Sequence, residues 1–207
     1  MDLVSSLSIL FPLIAGLFFY RRNGKLQTYF LWYIIFSFTF EIVSTILALN
    51  EFNNHWMFKP FFICDFLFFT WFFNKFRSFP NWLKTLTFIY FGLILFDCLD
   101  SWFWHTSFYS PSIYFIVLFL YFIILSFYVI IGSLDDWAPV QNPILWIASA
   151  RLIYYLFVIV IYAYSSISFF NFNNNLFGEA FAIINGVANV LCNSMFGISF
   201  LCKRVQV

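Results

Sequence analysis

Seven long apolar runs, separated by short polar connections, constrain this chain more than any other feature of its sequence. The runs lie at about 3 to 20, 28 to 49, 57 to 74, 82 to 104, 112 to 133, 144 to 165 and 178 to 202. A helix needs about 20 apolar residues to cross a hydrocarbon core about 30 Å thick. A helix also satisfies every backbone N–H and C=O within one segment, as lipid requires. The sequence therefore predicts an all-α fold in which residues 1–207 form one domain, a polytopic bundle of seven transmembrane helices.

Composition agrees with lipid as the solvent of this chain. Hydrophobic residues make up 63% and charged residues 9% of the 207 positions, whereas soluble domains carry about 25% charged residues. The formal net charge of +1 gives no basic field of the kind that attracts nucleic acid. We therefore expect membrane lipids as partners and no nucleic acid.

The distribution of Lys and Arg between the connections predicts the orientation. One side holds the first, third and fifth connections and the C-terminus, whereas the other side has Lys59 alone, at the membrane edge. Cytoplasmic connections carry an excess of Lys and Arg, so the N-terminus is expected outside and the C-terminus inside. The basic residues on the inner side are Arg21, Arg22, Lys25, Lys75, Arg77, Lys84, Lys203 and Arg204.

Ionisable side chains at membrane depth are costly, and each is a functional hypothesis. Glu41, Asp65 and Asp97 fall in the outer halves of their runs, and Arg151 in the sixth run is expected to snorkel inward or to pair. One interpretation is a polar cavity open to the outside, lined by the three carboxylates and partly neutralised by Lys59. The alternative is that the carboxylates are protonated or bonded to nearby Ser, Thr and Tyr hydroxyls and only fix helix register.

The seventh run repeats an amide every four residues, at Asn185, Asn189 and Asn193, with small residues beside this stripe. Small residues allow close backbone approach, and amides form hydrogen bonds between membrane helices. The stripe therefore indicates a helix-packing face, with an amide-lined path for a polar ligand as the alternative.

Several classes of active protein lack support in the sequence. The last run has no lysine before Lys203 that could hold retinal, and P-loop, HExxH, GxSxG and GxGxxG motifs are absent. The two histidines, His55 and His105, both lie near connections, which argues against a metal hydrolase with several His ligands. We expect no catalytic residues, no metal site and no cofactor.

Several short motifs occur in a recognisable order along the chain. They are Pro12 with Gly16, a basic first connection, Glu41 then Asn50, Asp65 in an aromatic third run, Asn142-Pro143-x-x-Trp146-Ile147, Leu152-Ile153-Tyr154, and an amide-rich last run. This order resembles a group of small seven-helix bacterial membrane proteins without an established activity. The resemblance implies the fold and a bacterial inner membrane. The chain is also similar to the sensor modules of bacterial membrane kinases, which implies signalling through another membrane or signalling protein.

These features support three hypotheses about function. The leading one is a binding or sensing module that takes a small or lipid-like ligand from the outer side, with Glu41, Asp65 and Asn189 as the first expected contacts. The wider candidate cavity adds Asp97, Lys59, Asn185 and Arg151. The alternatives are a small secondary transporter of three-plus-one-plus-three type and a membrane-embedded lipid-modifying enzyme.

Overall fold

The protein is all-α. The computed structural model describes residues 7–50, 57–103, 113–134, 139–168 and 174–202, without the side chains at 58–59, 97–103, 113–115, 117, 139 and 161–182. Within these residues the long helices are α1 (Leu10–Phe18), α2 (Lys25–Leu49), α3 (Phe58–Phe76), α4 (Asn81–Phe103), α5 (Ile113–Leu134), α6 (Pro143–Ser168) and α7 (Asn174–Leu201). Short 3-10 turns lie at Tyr20–Arg22 and Pro139–Gln141. Each of the seven helices corresponds to one of the seven predicted runs. His55, His105 and the tail at 203–207 lie outside the description.

Three of the helices are long and apolar enough to cross a membrane, judged by length and composition over the described residues. They are Lys25–Leu49, Pro143–Val160 within α6, and Ile183–Leu201 within α7. Shorter apolar stretches occur at Asn81–Phe96 and Leu118–Leu134. α1 is described over 9 residues, a length of about 14 Å, and residues 3–6 of its predicted run lie outside the description. The three long apolar helices indicate a helical membrane protein.

The outer faces of the helices carry large apolar side chains. Phe18, Leu49 and Phe88 are 81%, 79% and 80% exposed, and a soluble monomer rarely shows extended apolar surface of this kind. The buried positions, in contrast, include Asp65 and Arg151 at 1% and 6% exposure. An apolar exterior around buried charges is the arrangement expected when lipid surrounds the bundle.

The helices pack as a ring. Each helix from α1 to α6 contacts the next helix along the chain, and α1 closes the ring by packing on α7. α3 also contacts α5, and α4 contacts both of these helices. Aromatic side chains fill the centre, with Phe30, Phe69, Phe72, Phe119 and Tyr155 all fully buried. The ring therefore brings α2, α3 and α6 close around a shared centre.

Local capping explains where α6 begins after the connection from α5. The side-chain Oδ1 of Asn142 accepts a hydrogen bond of 2.9 Å from the Ile144 N–H, and Pro143 takes the first helical position, where a missing N–H costs nothing. Trp146 Nε1 donates to the Val140 carbonyl at 2.9 Å. The Asn142-Pro143-x-x-Trp146 motif thus begins α6 and holds the 3-10 turn before it.

Candidate functional site

A buried ion pair lies at the centre of the ring. Asp65 of α3 pairs with the Arg151 guanidinium of α6 through Oδ1 and Nη2. Two tyrosine hydroxyls also donate to this carboxylate, Tyr33 of α2 to Oδ1 and Tyr155 of α6 to Oδ2, the second at 2.6 Å. Arg151 Nη2 donates a further bond of 3.0 Å to the Tyr33 hydroxyl oxygen. The pair therefore joins three helices through side chains that satisfy one another.

Aromatic rings surround the guanidinium. Arg151 Cζ lies 3.7 Å from the centroid of the Phe69 ring and 6.0 Å from the centroids of Phe122 and Phe196. A cation over an aromatic face gains about 2 kcal/mol when both are desolvated. These rings surround the guanidinium with apolar groups, so the attraction between the two charges is stronger than it would be in water.

Spacing within each helix explains how the groups meet. Phe69 follows Asp65 by four positions on α3, and Tyr155 follows Arg151 by four positions on α6. Residues four apart lie on the same face of a helix, one turn from each other. Each helix therefore presents one charged group and one aromatic ring to the same point, and Tyr33 of α2 completes the set.

The energetic consequence of this arrangement is asymmetric. Removing two charges from water costs several kcal/mol for each ion, and their attraction offsets this only when the geometry and hydrogen bonding are good. Here Asp65 accepts from three donors, which meets that condition. The loss of either charge would leave the other buried without its counter-ion.

A second polar cluster links α3, α4 and α5. The Tyr121 hydroxyl lies 3.0 Å from Thr70 Oγ1 of α3 and 3.0 Å from Thr87 Oγ1 of α4. Tyr121 itself is fully buried on α5. Sequence reasoning did not single out these residues, because isolated Thr and Tyr residues are common within apolar runs. Their effect is to hold α4 onto the ring.

One residue of the amide stripe on α7, Asn193, is bonded to a segment outside that helix. Asn193 Nδ2 donates to Ser8 Oγ at 2.7 Å, which joins α7 to the segment leading into α1. Gln27 of α2 donates from Nε2 to the Ser199 carbonyl at 3.0 Å. Asn185 and Asn189 are partly exposed on α7.

Of the predicted cavity residues, the structure brings Asp65 and Arg151 together. The structure places Arg151 beside Asp65, where the sequence pointed to Lys59 as the neutralising group. Glu41 is partly exposed on α2, eight residues beyond Tyr33, which is about 12 Å along a helix. The similar depth of Glu41 and Asp65 stays a prediction. The side chains of Asp97 and Lys59 lie outside the description.

Two of the central residues, Tyr33 and Tyr155, were not named as candidates. The available signal was the four-residue spacing between Arg151 and Tyr155, which places a hydroxyl one turn from the buried cation. Tyr33 has no comparable sequence signal, because its role depends on how α2 is rotated toward α3. Within the described part of the chain, no three His, Cys, Asp or Glu side chains are grouped so as to hold a metal ion.

Comparisons with protein-family models, with curated proteins and with solved structures find no match for this chain.

Proposed function

We propose that the chain is a seven-helix protein of a bacterial inner membrane, with its N-terminus outside and its C-terminus in the cytoplasm. The support is the alternation of seven apolar runs and the concentration of eight Lys and Arg residues on one side, against Lys59 on the other. The resemblance to small seven-helix bacterial membrane proteins supports the same location.

Thiol labelling in oriented vesicles tests this topology. In a background without native cysteines, Asn23→Cys and Gln206→Cys are expected to react with a membrane-impermeant maleimide from the cytoplasmic face only. Asn53→Cys, in the second connection, is the matched control and should react from the outer face only. Labelling of positions 23 and 206 from opposite faces would refute the proposal.

For activity, we propose a binding or sensing module that takes a small or lipid-like ligand from the outer side. The observation that carries this proposal is the Asp65–Arg151 pair, since charges at membrane depth are rare and mark functional positions. A pair between two helices can be closed or open, and a ligand that favours one state shifts the population toward it. Glu41, about 12 Å farther along α2 than Tyr33, is the expected ligand contact nearer the outer side.

Large aromatic rings between α2 and α3 support the proposal that α3 is the helix that shifts when a ligand binds. α3 meets α2 through ring pairs such as Tyr33 with Phe68, at 4.4 Å between centroids, and Phe40 with Phe61, at 4.6 Å. Bulky rings keep helix backbones apart, whereas small residues permit tight packing. Among the described residues, Asp65 then forms the main polar connection from α3 to α6. Breaking the bonds of Asp65 to α6 would allow α3 to shift.

Native mass spectrometry tests binding directly. The purified full chain is incubated with a bacterial polar lipid extract, and the fraction carrying a bound molecule is measured for the wild type, Glu41→Gln and Thr39→Ala. Glu41→Gln is expected to raise the dissociation constant, obtained from the bound fraction at several lipid concentrations, about tenfold, a loss of about 1.4 kcal/mol. Thr39→Ala is the control, because the Thr39 hydroxyl is exposed and donates to its own helix at Ile35. Equal binding by the wild type and Glu41→Gln would contradict the assignment.

The two alternatives predict different results in the same preparation. A secondary transporter would move protons or solute across proteoliposomes, detected with an enclosed pH-sensitive dye or a labelled solute. A lipid-modifying enzyme would convert a component of the extract to a new mass. Binding with neither flux nor conversion is the result expected for a sensing module.

A further inference from the structure

Three buried side-chain polar atoms have no hydrogen-bond partner among the residues that the structure describes. The first is Oγ of Ser37 on α2, and the remaining two belong to α5 and α6, which pack against each other. One is Nε of Arg151, whose side chain is 7% exposed. The other is Oγ of Ser126 on α5, a residue with no exposed surface. An unsatisfied buried donor lowers stability, and native proteins usually avoid that cost with an ordered water or another bound group.

Helix register places Ser126 of α5 and Arg151 of α6 at the same level along the contact between these two helices. Phe122 of α5 stacks on Tyr155 of α6, with ring centroids 4.5 Å apart and planes at 2°. One turn from Phe122 toward the end of α5 is Ser126, and one turn from Tyr155 toward the start of α6 is Arg151. One further turn along, Val129 of α5 and Ala148 of α6 occupy the corresponding positions, and both are fully buried. Ser126 and Arg151 therefore each lie one turn from the same stacked ring pair, on two helices that pack against each other.

The hydrogen bonds of Asp65 explain why Nε remains unused. Its Oδ1 accepts from Arg151 Nη2 and Tyr33, and its Oδ2 accepts from Tyr155. The carboxylate thus does not form the two parallel bonds that a guanidinium can offer. The Nε–H donor is left on the side of Arg151 nearest to the α6 backbone.

We propose that Arg151 Nε and Ser126 Oγ bind one neutral oxygen that accepts a hydrogen bond, either a water molecule or the hydroxyl or carbonyl oxygen of a ligand. Nε–H can only donate, whereas a Ser hydroxyl can donate or accept, so a single oxygen satisfies both. An anion does not fit, because Asp65 already balances the charge of Arg151 and an additional negative charge would be buried without a counter-ion.

This site links α5 to the ion pair. Arg151 contacts α2 and α3 through Tyr33 and Asp65, and the bound oxygen would extend the same network to α5. A bridging oxygen is energetically close to a direct hydrogen bond. The proposal does not rest on the sensing function, because occupancy of this site and ligand binding at Glu41 are measured separately.

High-resolution crystal structures of the full chain grown in a lipidic mesophase provide the test. In the wild type, a density peak is expected within about 3 Å of both Nε and Ser126 Oγ. Ser126→Ala is expected to abolish this peak. Ser133→Ala is the matched control and should retain it, because Ser133 is equally buried on α5 but already donates to the Val129 carbonyl at 2.9 Å.

The shape of the density distinguishes the two sources of the oxygen. A separate spherical peak assigns a water molecule, and a peak continuous with elongated density assigns the oxygen of a ligand. No peak in the wild type, in maps that resolve other internal waters, would overturn the proposal. A peak that persists unchanged in Ser126→Ala would also overturn it, since Ser126 would then take no part in the site.

Discussion

Arg151→Met should lower the free energy of unfolding by about 3–5 kcal/mol, the usual cost of removing one partner from a buried ion pair. The substitution keeps an apolar side chain of similar length but leaves the Asp65 carboxylate buried with only two tyrosine donors. The measurement is reversible unfolding of the purified protein in mixed detergent and SDS micelles.

The double variant separates charge from packing. Asp65→Leu combined with Arg151→Met removes both charges, and replacing a buried pair by apolar residues is often neutral or stabilising. We therefore expect the double variant to regain most of the lost stability. Lys84→Met is the surface control and should change stability by less than about 0.5 kcal/mol, because Lys84 is exposed on α4. A double variant as unstable as Arg151→Met would show that the charges are not coupled.

Gly16→Ala should destabilise the closure of the ring by about 1–3 kcal/mol, as expected when a packed interior receives an additional methyl group. A Cβ atom at Gly16 would lie 2.5 Å from Leu31 Cδ1 of α2 and 3.1 Å from Phe200 Cζ of α7. Leu31 and Phe200 are 2% and 1% exposed, so neither side chain has room to move away. The substitution should therefore push α1 from both of its neighbours.

Gly92→Ala is the matched control for this substitution. A Cβ atom at Gly92 of α4 would meet nothing within 4 Å, and alanine is favoured over glycine in a helix by about 1 kcal/mol. This variant should be as stable as the wild type or slightly more stable in the same unfolding assay. Equal stability of Gly16→Ala and the wild type would show that α1 does not pack closely between α2 and α7.

Helix positions were predictable from the sequence because they depend on local properties. The predicted run at 82 to 104 is α4 (Asn81–Phe103), and the run at 112 to 133 is α5 (Ile113–Leu134). A stretch of apolar residues in lipid must satisfy its own backbone, so its length and ends follow from composition alone. The seventh run began four residues late, because α7 starts at Asn174 within a polar stretch whose hydropathy gives no helix signal.

The candidate site was predictable only in part. The cost of burying charge singled out Asp65 and Arg151, and pairing was one of two expected fates for Arg151. The identity of the partner was not predictable, because the two residues are 86 positions apart.

By itself the sequence determined which segments are apolar helices, which connections carry Lys and Arg, and which polar residues would be costly to bury. Only the tertiary structure decided that Asp65 meets Arg151, that two tyrosines complete the network, and that α1 closes the ring on α7. The physical reason is that hydropathy governs how a segment partitions between water and lipid. The rotation and neighbours of each helix depend on side-chain packing and hydrogen bonds between distant segments.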